Sequence, residues 1–517
     1  MDEIEYALID ENPLTDHYLS WIYSYYQGGG YRRILVQRIC NLIVLTFLVT
    51  FTFIILLCID WHNLLKDADT EKVFLRDYLT TDNLKKPFVI MCMIFYGLMW
   101  TWYFMRIFTD VRILKRIQKL YIDKLKIEDA YLTTMQWDDI TQKIIENLYE
   151  HLTALEIAKR IMRKENYYIA IYNLDKLNFE VNILGYKKNI LTRTLEWNIN
   201  FILGNYIFDD DKLSERFNNA KHTTELKEKL NKRFRWMSIV GFLFMPFILI
   251  CAFMYYCFAY GEELHRNPKS VGTRDWTPYA KIKIREYNEL PHVLRNRLTL
   301  AIEPTEKYIN MFPAGIISII AKSIVFMSGS IFIVVFLMSF FDGDILFDIY
   351  LFNDKSIIWF MGVLTFILAI FRPFMPNREI IFTPKKGLKD IINITHYKPN
   401  KWENNYHINI KNDIMELFEY KIVIFFMEII SVIYTPFILW FIMPKYSEEI
   451  IKFIIKNAGV SKSFCIYSDF NRINSFNANF IDMRDSKLDS SIHSFKQQHR
   501  SNDIFDNKPN FEHEEIV

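Results

Sequence analysis

The chain has 517 residues, of which 51% are hydrophobic and 16% aromatic, and the hydrophobic residues are concentrated in long uncharged segments. A soluble protein interrupts such segments with charged residues, so this distribution indicates an integral membrane protein that enters the bilayer several times. The formal net charge is only +2, which argues against a broadly basic surface for nucleic acid.

Six apolar segments follow one another along the chain. A transmembrane helix needs roughly 17–25 apolar residues, and four of the segments fit that length closely enough to be read as spans. These four are residues 39–59, 88–106, 323–341 and 356–372. The other two, residues 236–261 and 422–443, are long enough but contain Pro246 and Pro436.

The charges between the segments orient them, because Lys and Arg accumulate on the cytosolic side of a membrane. The stretch from Arg106 to Arg235 is basic, the loop 342–355 is acidic, and the loop 262–310 is basic again. These signs conflict if residues 236–261 cross the bilayer. They agree if that segment and 422–443 are re-entrant, bending near their prolines, which each remove a helical hydrogen bond. Six plain spans is the competing arrangement.

The fold predicted is therefore an all-α integral membrane protein with four transmembrane helices, two re-entrant segments and both termini in the cytosol. The connecting regions show helical apolar spacing, and the tail is rich in Ser, Asn, Asp and Lys, a composition typical of disorder. The predicted regions are a cytosolic N-terminal segment (1–38), the first two transmembrane helices (39–106), a cytosolic helical region (107–235), a re-entrant segment (236–261), a cytosolic helical linker (262–322), transmembrane helices three and four (323–372), a cytosolic helical region (373–421), a second re-entrant segment (422–443), a cytosolic helix (444–460) and a disordered tail (461–517).

Motifs for catalysis are absent from the sequence. We find no phosphate-binding GxxxxGK, no HExxH, no GxSxG and no dinucleotide fingerprint, so we expect no catalytic centre, no cofactor and no metal site. The pair Asp342 and Asp344 resembles a metal-binding DxD but is read as a solvated acidic turn.

Charged residues within or beside apolar segments are the candidate functional residues. A charge near the membrane centre costs several kcal/mol unless it faces protein or water. Lys322 and Glu428 are two such residues, and His265, Arg266 and Asn267 follow the first re-entrant segment. The alternatives are that Lys322 reaches the interface, that Glu428 caps a helix or pairs with a basic residue, and that residues 265–267 form an ordinary polar loop.

Residues Tyr6 to Ile9 fit the Yxxφ pattern, in which a tyrosine precedes a bulky apolar residue by three positions. Clathrin adaptors bind such peptides in exposed cytosolic segments. Four-residue patterns also arise by chance, and the two explanations weigh about equally here.

One long segment, Tyr260–Leu298, reads YGEELHRNPKSVGTRDWTPYAKIKIREYNELPHVLRNRL and resembles the hallmark segment of the autophagy-related protein 9 family. The resemblance covers roughly residues 18–460 in order. It continues in LTALEIAKRIMRKENYY (152–168), AKSIVFMSGSI (321–331), FFDGDIL (340–346), HYKPNKWENNYH (396–407) and LFEYKIVIFFMEIISVIYTPFIL (417–439).

This resemblance implies a domain-swapped homotrimer with four spans and two re-entrant segments per protomer. It implies an ATP-independent phospholipid scramblase, not an enzyme, in vesicles derived from the Golgi and endosomes and in the phagophore membrane. The implied partners are membrane phospholipids, a bridge-like lipid transfer protein and autophagy-initiation scaffold proteins, with a clathrin adaptor complex at the N-terminal signal.

The lipid path implied by the family contains a Lys-Arg-Glu cluster that aligns on His265, Arg266 and Asn267, of which only Arg266 is kept. We assign Lys322 and Glu428 to the same path, and Pro246 and Pro436 to the re-entrant bends. A second class of function is a membrane-shaping vesicle scaffold, in which the polybasic run 221–235 holds anionic lipid. An ion channel is disfavoured because no span carries a filter signature.

Overall fold

The computed structural model describes residues 16–68, 74–80, 86–149, 152–174, 177, 179–183, 186–209, 212–217, 223–266, 273–312, 316–338, 350–352, 355–372, 381–403, 407–460, 465–468 and 486–498. Most of these residues are helical, as the sequence predicts. The helices are α1 (Asp16–Gly28), α2 (Tyr31–Phe53), α3 (Trp61–Ala68), α4 (Pro87–Asp123), α5 (Trp137–Asn147), α6 (Ala154–Ile161), α7 (Arg163–Tyr172), α8 (Arg193–Ile207), α9 (Thr223–Arg266), α10 (Pro278–Ile284), α11 (Pro291–Asn310), α12 (Ile316–Met338), α13 (Ile357–Phe371), α14 (Pro384–Thr395), α15 (His407–Leu417), α16 (Lys421–Phe437), α17 (Met443–Val460) and α18 (Ser486–Gln498). Single π-helical turns, Ile54–Cys58 and Ile438–Ile442, follow α2 and join α16 to α17.

The strands within the described residues are short and form two-stranded antiparallel pairs. They are β1 (Glu180–Ile183) with β2 (Tyr186–Asn189), β3 (Phe208–Asp209) with β4 (Lys212–Leu213), β5 (Arg274–Trp276) with β8 (Phe418–Tyr420), and β6 (Tyr350–Phe352) with β7 (Lys355–Ser356). Only the β5–β8 pair joins distant parts of the chain, and it brings the start of α16 beside the residues that follow α9.

Five helical segments among the described residues are long and apolar enough to cross a membrane. They lie in α2, α4, α9 and α12 and in the continuous run of α16 and α17, and α13 is a shorter apolar helix. Side chains such as Ile43, Phe47 and Phe326 are more than half exposed. Water would make such surfaces unstable, whereas lipid acyl chains make them favourable.

Helix α4 continues through the predicted boundary at residue 106. It begins with Pro87 at its first position, where a missing N–H costs nothing, and its 37 residues extend about 55 Å. The apolar first half is long enough for the hydrocarbon core, so the basic second half projects well beyond it.

Three clusters of buried hydrophobic residues pack together the helices and strands outside the apolar segments. The central cluster joins α7, α8 and the start of α9 to α17, through residues such as Tyr167, Leu203, Leu230, Phe234 and Ile454. The N-terminal cluster joins α1 to the second half of α4 and to α5, and the linker cluster joins β5, α10 and α11 to α14, α15 and β8. Arg297 and Glu289, both buried, form a two-pronged ion pair where α10 and α11 meet.

The prediction of a disordered tail from residue 461 is wrong for residues 486–498. These residues form α18, and Leu488 and Phe495 are buried in the central cluster. The Lys487 ammonium donates to the carbonyls of Ile282 and Lys283, and the Tyr287 N–H donates to Ser491 Oγ. The polar composition misled the prediction, because Leu488, Ile492 and Phe495 have the spacing of one helical face.

The helix that contains the third predicted span begins before Lys322. Lys322 lies in the second turn of α12, which begins at Ile316, and it is exposed. A single lysine near a helix end does not interrupt an apolar helix, because its long side chain can carry the ammonium away from the apolar surface.

Candidate lipid path

Helices α9 and α16–α17 form an antiparallel pair along most of their lengths. The Lys227 ammonium lies 2.7 Å from a Glu448 carboxylate oxygen near the start of α9, and the rings of Tyr256 and Phe425 lie 5.7 Å apart near its end. Between these points, Ser238 Oγ donates a 2.7 Å hydrogen bond to the Pro436 carbonyl. The two segments predicted to be re-entrant are therefore each other's main packing partners.

Both predicted bends lie inside continuous helices. Pro246 is in the interior of α9, and Pro436 is near the end of α16, immediately before the π-helical turn. A proline in a helix removes one hydrogen bond and commonly produces a kink without ending the helix. The chain is thus not divided into two helices and a loop at either proline.

Small residues on α9 allow a close approach to Pro436. A Cβ atom added at Gly241 would lie 3.3 Å from Pro436 Cγ, which is tighter than an ordinary contact. The Ser238 hydroxyl donates to the Pro436 carbonyl beside the π-helical turn. Small residues at the contact of two membrane helices permit this kind of packing.

Aromatic contacts place the middle of α9 across the first two predicted spans. The ring of Phe247 lies 5.9 Å from that of Phe53, and the ring of Phe258 lies 5.6 Å from that of Phe51. Phe247 and Phe258 are about 16 Å apart along α9, whereas their partners are neighbours on α2. Helix α9 therefore crosses α2 instead of running alongside it.

Both ends of the helix pair are attached to the polar body of the protein. At one end the Lys421 N–H donates to the Thr273 carbonyl beside the β5–β8 pair. At the other end Leu230 of α9 and Ile450 of α17 are buried in the central cluster. Helix α10, which follows β5, sends Ile282 into that same cluster, so the two attachments belong to one connected body.

Glu428 is inside the protein and caps α8. It is 3% exposed, and its carboxylate accepts hydrogen bonds from the N–H of Arg193 at 2.8 Å and of Thr194 at 3.4 Å. The hydroxyl of Thr192 accepts from the next free N–H, that of Leu195. A carboxylate at a helix N-terminus satisfies unpaired donors and interacts favourably with the helix dipole. Our assignment of Glu428 to an open lipid path is therefore corrected to a structural cap.

A polar rim surrounds this cap outside the apolar segments. Burial raises the pKa of Glu196 to about 7, and the nearby carboxylates of Glu165 and Glu428 add to this effect. Burial also lowers the pKa of Lys281. Glu196 belongs to α8 and Lys281 to α10, and both residues are half-buried.

Two apolar grooves open beside the membrane helices. One, of about 410 Å³, lies between α9 and α16 next to Pro436 and is lined by Ser238, Ile239, Phe242, Leu243, Pro436, Phe437, Trp440 and Phe441. The other, of about 480 Å³, lies between α2 and α4 and is lined by Leu42, Ile43, Thr46, Phe47, Thr50, Phe51, Ile54 and Trp100. Their linings suit acyl chains better than headgroups.

Arg266 is at the C-terminal end of α9 and is highly exposed. Its guanidinium pairs with Glu262 one turn earlier, and both side chains are about 70% exposed (72% and 70%). His265 is in the same helical turn, its side chain is not described, and Asn267 lies outside the described residues. Tyr6 and Ile9 also lie outside them. The structure does not bring Lys322 and Arg266 into contact with Glu428.

Two polar contacts of the membrane helices were not predicted. Arg38 on α2 forms a 2.9 Å ion pair with the buried Asp110 on α4, and Trp100 Nε1 donates to Thr46 Oγ1 at 2.9 Å. Asp110 is the one acidic residue in the basic run 106–122, which is a signal that the sequence did offer. Within the described residues, no three His, Cys, Asp or Glu side chains come together as a metal site.

Comparison with known proteins gives consistent matches over most of the chain. The family described as "Autophagy protein ATG9" matches residues 13–470. Autophagy-related protein 9 of Dictyostelium discoideum is 32% identical over 525 residues, which cover 95% of this chain and 74% of the relative. Autophagy-related protein 9 of Aspergillus fumigatus is 29% identical over 531 residues, covering 94% of this chain and 56% of the relative. The chain thus spans about half to three-quarters of the length of the curated relatives it matches.

A solved structure is similar as well. The cryo-EM structure of Schizosaccharomyces pombe Atg9 aligns with a TM-score of 0.66 and 28% sequence identity, over 89% of this chain and 100% of that chain. The same overall arrangement of helices is therefore adopted by both chains.

Proposed function

Because this chain belongs to the autophagy-related protein 9 family, we propose that it is a phospholipid scramblase of autophagy membranes. It would move phospholipids in both directions between leaflets, without ATP, while the phagophore membrane expands. The observation that carries the proposal is the paired helices α9 and α16–α17, whose two ends are attached to one polar body.

A helix that crosses a bilayer has its ends on opposite sides. Here the Lys421 end of the pair is tied to β5 and the Ile450 end to the central cluster, and α10, which follows β5, places Ile282 in that same cluster. In addition, the backbone of the exposed Arg193 is bonded to Glu428, the seventh of the 22 residues of the second apolar segment. A true span there would hold the Arg193 guanidinium near the hydrocarbon core, at a cost of several kcal/mol. This supports re-entrant segments at 236–261 and 422–443.

Re-entrant helices give a physical route to scrambling. Flip-flop is slow because a polar headgroup must lose its hydration in the hydrocarbon. Continuous helices that lie obliquely in one leaflet, with both ends on the same side, would thin the bilayer locally and shorten the dry part of the route. The groove beside Pro436 would hold acyl chains while the headgroup passes along polar groups at its edge.

Arg266 is the cation we assign to the headgroup, together with His265, Asn267 and Lys322. The Arg266–Glu262 pair is fully accessible to water, and exposed pairs of this kind are weak. A lipid phosphate could therefore displace Glu262 from the guanidinium, which binds phosphate with two parallel hydrogen bonds.

The assembly we propose is a homotrimer in vesicles derived from the Golgi and endosomes, with both termini in the cytosol. Helices α12 and α13 pack against each other, with Gly329 facing Leu368, and expose apolar side chains such as Phe326 and Phe366. This hairpin is suited to exchange between protomers. The proposed partners are a bridge-like lipid transfer protein, autophagy-initiation scaffold proteins and, through Tyr6 and Ile9, a clathrin adaptor complex.

The direct test is scrambling by purified protein in sealed liposomes that carry a fluorescent lipid. Dithionite added outside bleaches only the outer leaflet, so a protein that scrambles allows loss of well over half of the signal without ATP. A plateau near half, with protein shown to be incorporated, would contradict the proposal. It would favour the membrane-shaping scaffold.

The matched variants are Arg266→Ala and Lys229→Ala. Lys229 forms the same kind of exposed pair one turn from Glu225, on the same helix but outside its apolar part. We expect Arg266→Ala, alone or with Lys322→Leu, to slow scrambling severalfold and Lys229→Ala to leave it unchanged. Equal rates for all variants would remove these residues from the path.

The scaffold alternative draws on the basic run 221–235. The structure already engages part of it, since Lys227 pairs with Glu448, Lys229 with Glu225, and Arg233 donates to the Asn205 carbonyl. Less positive charge is therefore available to anionic lipid than the sequence suggests, which makes this the second candidate.

A further inference from the structure

Helix α8 carries a narrow exposed ridge on an otherwise buried helix. Arg193, Trp197, Phe201 and Asn205 recur at every fourth position and are exposed. Trp197 is 61% and Phe201 48% exposed, and their rings stack with centroids 5.4 Å apart. Two large aromatic side chains held together in water are unfavourable, so the ridge calls for an apolar environment.

The rest of α8 fixes the direction of this ridge. Leu195, Ile199, Ile202, Leu203 and Tyr206 are buried in the central cluster. At mid-helix, the Tyr168 hydroxyl donates to the Asn200 carbonyl and the Tyr172 hydroxyl donates to the Asn200 side chain. The ridge therefore cannot rotate inward without unfolding the cluster.

Both ends of α8 are tied to membrane helices at recognisable positions. Its first N–H groups are bonded to Glu428 of α16, in an apolar segment. Its last turn is bonded to Arg233 through the Asn205 carbonyl, three residues before Trp236, where the charged part of α9 gives way to the apolar part. With both ends of the α9 and α16–α17 pair on one side of the membrane, as proposed above, the ridge lies near the boundary between water and hydrocarbon.

The charges beside the ridge fit a phospholipid surface. Arg193 is exposed at one end, and Arg233 is bonded at the other. Aromatic rings at the level of the headgroups, flanked by arginines that reach phosphates, are the usual composition of an interfacial anchor.

We propose that α8 is an interfacial anchor whose Trp197 and Phe201 insert among the headgroups and upper acyl chains of one leaflet. The exposed Arg193 would contact the phosphates of the same leaflet. The anchor rests on the membrane placement of α9 and α16 proposed above, but it does not require scrambling. It would hold the polar body against the bilayer and so fix the depth of the re-entrant pair.

Spin labels test this in the full-length protein reconstituted into liposomes. Single cysteines at Trp197 or Phe201, in a background without the six native cysteines, are compared with one at Tyr131. Tyr131 is a matched control, because it is an aromatic residue with 59% exposure in a turn of the N-terminal cluster.

The measured quantity is the ratio of two collision rates of the spin label. One is its collision rate with oxygen, which concentrates in lipid, and the other is its collision rate with a water-soluble nickel complex. We expect this ratio to be at least about fivefold higher at 197 and 201 than at 131, corresponding to a depth of roughly 5–10 Å below the phosphates. Equal ratios at all three sites would overturn the anchor. Low access to both reagents, with dipolar broadening between labels, would assign the ridge instead to contact with a second copy and also overturn it.

A second measurement avoids cysteine variants. Brominated phospholipids quench tryptophans that lie in the bilayer, so Trp197→Phe should reduce the fluorescence intensity that these lipids quench. Quenching that is the same with and without Trp197 would contradict the proposal. Neither measurement depends on scrambling, so a failed anchor and a failed scramblase can be told apart.

Discussion

Some charged side chains in the membrane segments of this protein stabilise the packing of distant helices, which their neighbours in the sequence do not indicate. The sequence showed Glu428 only as a charge in an apolar segment. In the structure its carboxylate caps the N-terminus of α8 by accepting a hydrogen bond from Arg193, which is 235 residues away in the chain. No local sequence pattern predicts that Glu428 contacts α8, because the contact depends on the tertiary packing of α8 against α16. The alternative of a helix cap was available from the sequence, but not the helix that is capped.

Replacing Glu428 should therefore reduce stability and leave the lipid path intact. Glu428→Ala leaves two part-buried N–H groups without this acceptor, which should cost roughly 1–3 kcal/mol. Thermal unfolding in detergent should show a lower midpoint than wild type, while the exposed Glu228→Ala on α9 should be nearly unchanged. A normal midpoint combined with lost scrambling would restore Glu428 to the lipid path.

Glu196 should make stability depend on pH. Its pKa rises from 4.5 to about 7 on folding, so between those values the folded protein holds a proton that the unfolded chain has released. The free energy of unfolding therefore falls as the pH rises through this window. Glu196→Gln should remove that dependence and stabilise the protein at pH 8 by roughly 1–3 kcal/mol relative to wild type.

The measurement is the unfolding midpoint of both proteins at pH 5.5 and pH 8, with the exposed Glu215→Gln as control. The difference between Glu196→Gln and wild type should grow with pH, and the control should follow wild type. A difference that does not change with pH would show that Glu196 is ionised in the folded protein throughout.

At the scale of elements, the sequence was informative about apolar segments and weak about their ends. Within the described residues, all six apolar segments lie mainly in helices, because length and lack of charge are local properties. The ends were less predictable: α4 and α9 run through the predicted boundaries at 106 and 235, and α12 includes Lys322. The β5–β8 pair joins strands far apart in sequence, and α18 was hidden by a polar composition although its apolar spacing is helical.

Helix pairing at Pro436 predicts different effects for two glycines of the same helix. A side chain at Gly241 meets Pro436, whereas a Cβ at Gly261 meets nothing within 4 Å. Gly241→Leu should separate α9 from α16, costing about 1–3 kcal/mol and altering scrambling, while Gly261→Leu should do neither. Both substitutions raise helix propensity equally, so a difference between the two variants reports the contact between residue 241 and Pro436. If both variants melt and scramble alike, helix α9 does not approach Pro436 closely.

Docking of α18 should depend on Ser494. Its hydroxyl lies 3.0 Å from a Glu286 oxygen and 2.8 Å from His396 Nδ1, inside the protein. The same Nδ1 atom faces Glu286, so the histidine does not relay between serine and carboxylate as in a catalytic triad. The cluster is a hydrogen-bonded contact that holds the helix.

Ser494→Asp would place a second carboxylate against Glu286 and should release α18. Amide hydrogen exchange at residues 486–498 should then rise to that of an unfolded segment, whereas the exposed neighbour variant His493→Asp should keep its protection. Persistent protection in Ser494→Asp would show that Leu488 and Phe495 are sufficient for docking.

At the scale of the whole molecule, one polar body carries two kinds of membrane element. Helices α2, α4, α12 and α13 have the composition of spans, and the pair α9 and α16–α17 is attached to the body at both ends. The charge pattern along the sequence and the contacts at both ends of that pair motivate the re-entrant placement proposed for it. Family membership adds the autophagy context, and the proposed scrambling follows from the placement.

The most direct test of this account is the side of the membrane on which the two ends of α9 emerge. Single cysteines at Lys229, before the apolar part of α9, and at Asn296, on α11 after it, are reacted with a membrane-impermeant maleimide in sealed vesicles. A cysteine at Phe74, in the loop between α2 and α4, reports the opposite side. We predict that positions 229 and 296 react together and position 74 separately. Reaction of 229 and 296 from opposite sides would make α9 a span and contradict the account.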